Sequence, residues 1–235
     1  MAYLQKEITD HNYDGFDIDY EATYVGDKAA FFDMISQLST FLHDRGKIFS
    51  VTVLQQTYEP RATRQTPTVQ DWTEIAAYAD EIRIMAYDYT GYVSQYPGPV
   101  APYDWQEAVL RYARGKVDMS KVYLGINLYG YDGWSNNSEI RSPYPSYETN
   151  PRLEKAQVDA VTYKQVQANK KYQLSDELNP DFLERVMRYQ FKDKQYVIIY
   201  PDASTVTPRK QLAAKYGAAG VAYWRMGGED PNVYL

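Results

Sequence analysis

The segment that carries most information about this chain is Asp14-Gly15-Phe16-Asp17-Ile18-Asp19-Tyr20-Glu21. Alternate side chains of an extended strand share a face, so Asp17, Asp19 and Glu21 point one way and the apolar residues between them point the other. Neighbouring carboxyls on the acidic face lie roughly 6–7 Å apart, and like charges that close raise the pKa of at least one of them. The pattern therefore predicts a strand that holds a protonated acid beside an ionised carboxylate near neutral pH.

The acidic segment has two other interpretations. A solvated edge strand would also carry three acids on one face, and this alternative stays open. A calcium loop of the EF-hand type does not fit, because Ala22 stands at its sixth position instead of Gly and Lys28 at its twelfth instead of Glu. His11 and His43 lack the spacing of paired ligands, so we predict no metal site.

The composition narrows the class of protein and of partner. With 235 residues the chain is long enough for one sizeable core, and no apolar run approaches the roughly 20 residues of a membrane span. The net charge of −6 argues against a nucleic-acid backbone or an anionic membrane as partner. The absence of cysteine excludes disulfides and Cys-based zinc sites. The 25 tyrosines, taken together, suit a groove that stacks on sugar rings and bonds their hydroxyls.

Strand-like and helix-like segments alternate along the chain. The predicted strands are 14–21, 48–54, 81–87, 122–129 and 220–224. The predicted helices are 29–45, which Gly46 ends, and 72–79, 103–114 and 211–216. Three kinds of element are predicted between the last two strands. Residues 131–151 form a long polar loop, and two helices follow at 162–171 and 180–186. A hairpin then consists of 189–191 and 196–200. Residues 1–8 read as a helix and not as a signal peptide, as if the chain began within a repeating architecture.

Repeated strand–helix units predict parallel strands with right-handed crossovers. Two architectures fit, a doubly wound sheet and part of a (β/α)8 barrel. Functional residues of a barrel sit at the carboxyl ends of its strands, and the predicted strands end at Glu21, Asp88, Tyr129 and Trp224. No glycine-rich dinucleotide loop follows any strand. The barrel is therefore the better prediction.

Several segments also carry a resemblance to a known family. The D-x-x-D-x-D-x-E pattern of 14–21 resembles the signature of family 18 glycoside hydrolases, the chitinase-like enzymes. Met85-Ala86-Tyr87-Asp88 resembles the end of that family's sixth strand, 125–130 its seventh strand and 220–224 its eighth. Segments 200–203 and 224–231 are similar to a bacterial subgroup often fused to polysaccharide deacetylase domains, with spore-cortex hydrolases a close second.

The resemblance covers essentially the whole chain and implies its fold. It implies a (β/α)8 TIM barrel of which this chain supplies only strands 4 to 8. Residues 1–235 would form a single, partial catalytic domain with an inserted region at about 131–202, between strands 7 and 8. Five strands cannot close an eight-stranded barrel. We therefore expect either a fragment of a longer gene product or a second chain that supplies the missing strands, and weak or no activity for an isolated monomer.

The same resemblance implies substrate-assisted retaining hydrolysis of β-linked N-acetylglucosamine polymers, either chitin or peptidoglycan-like glycans, with no cofactor. Family 18 departs from the usual pair of catalytic carboxylates, because the acetamido oxygen of the substrate attacks its own anomeric carbon. Glu21 would protonate the leaving oxygen, and Asp19 would hold the acetamido N–H. Asp17 would share a proton with Asp19, and Tyr87 would bond the acetamido carbonyl.

Further residues would bind the sugar. The resemblance implies that Asp88 bonds a sugar hydroxyl, that Trp224 forms the floor under the reacting ring, and that Met85 and Tyr129 line the same pocket. Trp105 would be at most an outer sugar platform. A chitinase-like sugar-binding module is the alternative function, although such proteins usually lose the acid that stands here as Glu21. The resemblance alone implies that the parent protein lies outside the bacterial cytoplasm, in the medium or the cell envelope.

Overall fold

The structure is a computed structural model that describes residues 2–21, 24–57, 69–91, 94, 97–133 and 158–235. Its strands are β1 (Gly15–Asp19), β2 (Ile48–Leu54), β3 (Glu81–Met85), β4 (Val122–Asn127), β5 (Tyr129–Gly133), β6 (Asp159–Thr162), β7 (Gln173–Asn179), β8 (Glu184–Phe191), β9 (Lys194–Tyr200) and β10 (Gly220–Trp224). Its helices are α1 (Ala2–His11), α2 (Lys28–His43), α3 (Trp72–Ala76), α4 (Tyr103–Arg114), α5 (Tyr163–Asn169) and α6 (Ala203–Lys215).

Five strands form a parallel sheet in the order β1-β2-β3-β4-β10. The five predicted parallel strands are thus confirmed. Each of them pairs with the parallel strand that comes before it in the sequence. Val51 and Val53 on β2, and Ile82 and Ile84 on β3, are at most 1% exposed and belong to the hydrophobic core. Alternate residues of a strand share a face, so these residues bury one face of the sheet. Because all five strands run the same way, their carboxyl ends lie along one edge of the sheet.

Helix α2 shows why these segments cover the sheet. Its apolar residues recur three and four positions apart, and Phe31, Ile35, Leu38 and Leu42 are buried on that stripe. The helix lies within two residues of the predicted 29–45. Gly46 follows it with a φ of +64°, a left-handed conformation that glycine adopts without strain. Truncating a fully buried leucine such as Leu38 to alanine costs about 2–5 kcal/mol.

The predicted strand 122–129 is in fact two strands, β4 and β5, separated by Leu128. The Leu128 N–H donates to the Trp224 carbonyl at 2.6 Å, and β5 then pairs antiparallel with β6 and β9. A Cβ on Gly130 would lie 2.1 Å from the carbonyl oxygen of Ile199. Strand β5 can therefore approach β9 this closely only because residue 130 is glycine.

The second sheet is antiparallel, in the order β6-β5-β9-β8-β7. It confirms the predicted hairpin, which is β8 and β9, and the predicted helix at 162–171, which is α5. The predicted helix at 180–186 is wrong. Asn179 Oδ1 accepts from the Asp181 N–H at 2.9 Å and Leu183 has a φ of +54°, so these residues turn the chain into β8. Such a side-chain bond to the backbone competes with helix formation. Most of the predicted loop 131–151 lies outside the described residues; 131–133 belong to β5.

A buried acid and a buried base tie the second sheet to the first. The Glu184 carboxylate accepts from the N–H groups of Val100 at 2.7 Å and Ala101 at 3.1 Å. Arg209 on α6 donates to the carbonyl oxygens of Leu183 at 2.8 Å and Ala101 at 2.6 Å. Burial raises the pKa of Glu184, and the nearby guanidinium of Arg209 opposes that rise. The antiparallel sheet is thereby fixed beside the carboxyl ends of the parallel strands.

The helices of the described part of the chain are short. The longest, α2, has 16 residues, whereas an apolar helix needs about 20 residues to cross a bilayer. Among the described residues no helix has both the length and the apolar character that a membrane span requires.

Candidate active site

The innermost acid of β1 is held by hydroxyl groups. Asp17 pairs with Ser50 in the register of β1 and β2, and its carboxylate accepts from the hydroxyls of Ser50 and Thr52, the latter at 2.8 Å. Arg83 on β3 lies 3.6 Å from the same carboxylate. Two hydroxyl donors and a cation therefore fix the position of the Asp17 carboxylate.

Asp19 is the next acid on the same face, at the end of β1. Partial burial raises its pKa, and the negative charge of Asp17 raises it further. The raised pKa of Asp19 beside a second acid on the same face agrees with the prediction from the alternating sequence. The structure therefore places both inner acids on one face.

Glu21 lies two residues beyond β1, so the predicted strand is shorter than 14–21. Its pKa is raised by partial burial first, then by the charges of Asp19 and Asp88. Glu21 lines a cavity of about 220 Å³, which we call the inner cavity. The other residues that line it are Asp19, Leu54, Gln55, Met85, Tyr87, Asp88 and Trp224. Seven of the eight predicted site residues therefore lie in or next to this cavity, counting Asp17 beneath Asp19.

Tyr87 owes its position to a glycine on the neighbouring strand. A Cβ on Gly125 of β4 would lie 2.2 Å from the Ile84 carbonyl oxygen and 3.1 Å from Cε1 of the Tyr87 ring. Glycine at 125 therefore allows both the strand contact and the ring position. Burial raises the pKa of Tyr87, and the charges of Asp19, Asp88 and Glu21 raise it further. Its hydroxyl consequently stays protonated and can donate a hydrogen bond to a ligand.

Asp88 stands where the inner cavity meets a larger one. Its backbone is left-handed, with a φ of +57°, and its Oδ1 accepts from the hydroxyls of Tyr129 and Tyr131, the latter at 2.8 Å. Burial and the charge of Asp88 raise the pKa of Tyr129, so its hydroxyl remains a donor. Tyr129 thus contacts the site through Asp88. Tyr131 was not predicted, and the repeated tyrosine at alternate positions of β5 is the signal that would have indicated it.

The second cavity, which we call the outer cleft, has a volume of about 750 Å³. Its lining residues are Asp88, Tyr129, Tyr131, Ala160, Val161, Thr162, Lys164, Gln165, Trp224, Arg225, Gly227 and Gly228. Asp88 and Trp224 line both cavities. The two cavities therefore meet at these two residues, between the parallel strands and the antiparallel sheet.

Trp224 is the exposed aromatic residue of the site, and Trp105 is not part of it. Trp224 ends β10 with 52% of its surface exposed, as a platform for a ligand requires. The peptide bond that follows it is cis. Trp105 is 4% exposed and packs against the ring of Tyr89, with 5.2 Å between ring centroids. An outer sugar platform at Trp105 is therefore wrong, because its ring is part of the core.

The described residues contain no group of three His, Asp or Glu side chains that could hold a metal ion. His43 bonds Asp80 at 2.9 Å, and His11 lies 3.1 Å from Glu7. Each histidine has a single carboxylate partner on the surface. The inner cavity brings together carboxyl groups, the Tyr87 hydroxyl and the exposed indole of Trp224.

Comparisons with known proteins agree with this arrangement. The family described as "Glycosyl hydrolases family 18" matches residues 2–229. "Uncharacterized glycosylase YvbX" of Bacillus subtilis (strain 168) is 27% identical over 224 residues, which are 95% of this chain and 60% of that protein. A "Cortical fragment-lytic enzyme" of Bacillus anthracis is 24% identical over 212 residues, 89% of this chain and 45% of that protein. The chain therefore spans about half the length of these relatives.

A solved structure extends the comparison to the fold. A chitinase from Chromobacterium violaceum ATCC 12472 superposes with a TM-score of 0.81 at 26% identity, over 99% of this chain and 68% of that one. This likeness confirms the predicted fold class, an α/β fold of the barrel type whose described residues form five parallel strands.

Proposed function

Because this chain belongs to glycosyl hydrolase family 18, we propose that it takes part in the hydrolysis of β-linked N-acetylglucosamine glycans such as chitin or peptidoglycan-like polymers. The observation that carries the proposal is the inner cavity, where Glu21, whose pKa is raised, lies with Asp19, Tyr87 and Trp224. An acid with a raised pKa beside a second carboxyl is the arrangement that general acid catalysis of glycoside cleavage needs. The related chitinase and cortex-lytic enzyme support the same class of substrate.

The proposed reaction begins with protonation of the leaving oxygen. Glu21 donates its proton to the glycosidic oxygen as the bond to the anomeric carbon breaks, and the acetamido oxygen of the same sugar forms a new bond to that carbon. Water later attacks the anomeric carbon and gives a proton to Glu21, while the bond from that carbon to the acetamido oxygen breaks and the acetamido group re-forms. The attack on both occasions comes from the face opposite the departing group, so the β configuration is retained.

Asp19 and Tyr87 stabilise the cyclised intermediate in this proposal. The intermediate carries a positive charge on the former acetamido group, which Asp19 offsets while it accepts the N–H. The Tyr87 hydroxyl, which stays protonated, donates to the acetamido oxygen. Asp17, fixed by Ser50 and Thr52, lies below Asp19 and shares a proton with it as the charge develops.

The remaining residues of the cavity position the sugar. Trp224 offers its exposed ring as an apolar floor, and Met85 fills the wall beside it. Asp88, held by Tyr129 and Tyr131, accepts from a sugar hydroxyl at the junction of the two cavities. Binding energy from such contacts is what fixes the substrate in a reactive geometry.

We also propose that further strands pair with the parallel sheet. In the described residues β1 and β10 each have one neighbour in this sheet, and Tyr13 and Tyr20, beside β1, are 44% and 48% exposed. Open parallel edges are liabilities that folded proteins cover. The partner is either a longer form of the chain or a second copy, and light scattering on the active species distinguishes them.

The test of the hydrolase proposal is incubation with chitopentaose and with peptide-free peptidoglycan glycan strands, followed by mass spectrometry. We expect shortened oligomers that first appear as the β anomer by proton NMR. Glu21→Gln should lower the rate by about 10²–10⁴-fold, because the general acid is lost. Binding without products would contradict the proposal and indicate a sugar-binding module; so would cleavage that Glu21→Gln leaves intact.

A further inference from the structure

Two cations line the outer cleft without a partner. Lys164 lies in the first turn of α5 and Arg225 follows β10, and both line this cleft. In the part of the chain that the structure describes, neither side chain forms an ion pair or a hydrogen bond. Some exposed cations elsewhere are paired with a carboxylate, as Lys28 is with Glu74 at 3.0 Å and Lys215 with Glu107 at 2.8 Å.

The backbone holds these two cations on one wall. The Lys164 N–H donates to the Gly228 carbonyl oxygen at 2.8 Å. A Cβ on Gly228, whose φ is +102°, would lie 2.9 Å from the Thr162 hydroxyl oxygen. The segment after β10 therefore packs directly on the start of α5. This contact brings Arg225 and Lys164 to the same cleft although 61 positions separate them in the sequence.

The rest of that wall also offers donors. The Gln165 carbonyl oxygen already accepts from the N–H of Thr162 at 2.8 Å and from its hydroxyl at 3.0 Å, which leaves the amide N–H groups of Gln165 for a ligand. Asp88 is the one carboxylate among the residues that line the described cleft, and the hydroxyls of Tyr129 and Tyr131 already donate to it. A ligand in this cleft is thus met by positive charge and by N–H donors.

This chemistry selects a ligand that carries an anion. A neutral N-acetylglucosamine oligomer has only hydroxyl and amide groups, and these do not offset the loss of water from a lysine and an arginine. A carboxylate accepts a forked pair of hydrogen bonds from Arg and a charge-assisted bond from Lys.

We propose that Lys164 and Arg225 bind the carboxylate of an acidic sugar adjacent to the N-acetylglucosamine unit over Trp224. The substrate is then a glycan in which N-acetylglucosamine alternates with a carboxylate-bearing sugar. The carboxylate belongs either to a lactyl ether, as in muramic acid, or to a uronic acid. The inference rests on the proposed function, since that function places N-acetylglucosamine in the inner cavity.

The test measures binding in a Glu21→Gln background, so that no ligand is cleaved. Calorimetry compares three tetrasaccharides: one with alternating N-acetylglucosamine and N-acetylmuramic acid, its carboxyl methyl ester, and one with alternating N-acetylglucosamine and glucuronic acid. Lys164→Gln and Arg225→Gln are added separately. Lys194→Gln on the β8–β9 hairpin is the control, because it removes the same charge from an exposed position outside both cavities.

We expect the acid to bind more tightly than its ester, and each of the two substitutions to weaken binding of the acid about 5- to 10-fold. Binding of the ester should change by less than about 2-fold, and Lys194→Gln should change neither. Added salt should weaken binding of the acid and leave that of the ester unchanged. Whichever acidic glycan binds more tightly identifies the source of the carboxylate.

Equal affinity for acid and ester overturns the inference, as does an equal effect of the substitutions on both ligands or no binding of either acid. Hydrolysis by the native chain is measured separately. If the native chain cleaves glycans but binds the acid no more tightly than the ester, the proposed function holds and the carboxylate-binding inference is wrong. If the chain binds the acid more tightly than the ester but the native chain cleaves no glycan, the carboxylate-binding inference holds and the proposed hydrolase function is wrong.

Discussion

Replacing Gly125 by alanine tests whether close contact between β3 and β4 sets the position of Tyr87. The added Cβ would lie 2.2 Å from the Ile84 carbonyl oxygen and 3.1 Å from the Tyr87 ring. An ordinary contact is roughly 3.5 Å, so the two strands must separate by about 1 Å. Overpacking typically costs about 1–3 kcal/mol, and we expect at least about 3 kcal/mol because a strand backbone, not a flexible side chain, is in the way.

The same displacement should lower activity. A shift of about 1 Å in a positioning group can reduce a rate by about 10²-fold, so kcat/KM of Gly125→Ala should fall well beyond the effect of reduced stability. Urea denaturation measures the first effect, and kinetics far below the unfolding midpoint measure the second. Gly220→Ala on β10 is the matched control, because the added Cβ meets only the ring of Tyr123 at 3.2 Å and should cost less than about 1.5 kcal/mol. If Gly125→Ala matches Gly220→Ala in stability and in rate, the reasoning is refuted.

Three further predictions concern acids and their partners. Tyr131→Phe removes a donor at 2.8 Å from Asp88, and kcat/KM should fall about 10-fold; an unchanged value would contradict the role of Tyr131 in positioning Asp88. The rate should decline as pH rises through the raised pKa of Glu21, and Asp88→Asn should move that decline to lower pH, because the charge of Asp88 helps to raise this pKa; a pH–rate profile that does not move contradicts this origin. Burial raises the pKa of Asp132 from 3.8 to about 6, so the stability that this group contributes is fully present below pH 3.8 and is lost as pH rises through 6. Asp132→Asn should abolish that loss and stabilise the chain at pH 7 by about 2–3 kcal/mol, as measured by urea denaturation from pH 4 to 8.

The parallel sheet was predictable because its strands are defined by local patterns. Apolar runs such as 48–54 and an alternating segment such as 14–21 each lie between helical stretches, and the rules for parallel connections leave few ways to arrange them. The same alternation placed Asp17 and Asp19 on one face. Glu21 lies beyond the end of β1, yet it lines the same cavity as Asp19.

The second sheet was harder to predict, since its elements depend on contacts between distant residues. The break at Leu128 depends on a bond to the Trp224 carbonyl almost a hundred residues later. Residues 180–186 have apolar spacing that favours a helix, yet the bond between the Asn179 side chain and the Asp181 backbone turns the chain. Pairing of β7 with β8 then uses a strand that has little apolar pattern of its own.

The site was predictable where residues follow parallel strands, and not where the second sheet supplies them. Tyr87, Asp88 and Trp224 follow strand ends and were expected together. Tyr131 and Lys164 reach the cleft from β5 and α5, whose relation to the parallel strands no local pattern reveals. Trp105 was considered as a platform because it follows a loop, whereas the amphipathic pattern of α4 buries it.

The meeting of the two cavities at Asp88 and Trp224 separates two tasks within one molecule. The acids of the inner cavity lie at the ends of the parallel strands. The cations and tyrosines that line the outer cleft come from β5, from α5 and from the segment after β10. A protein engineer could exchange these cations and tyrosines to accept a different polymer and leave the proton-transfer groups untouched. Selectivity and reactivity would then be adjustable one at a time, with the aspartate at their boundary as the position that must be kept through every redesign.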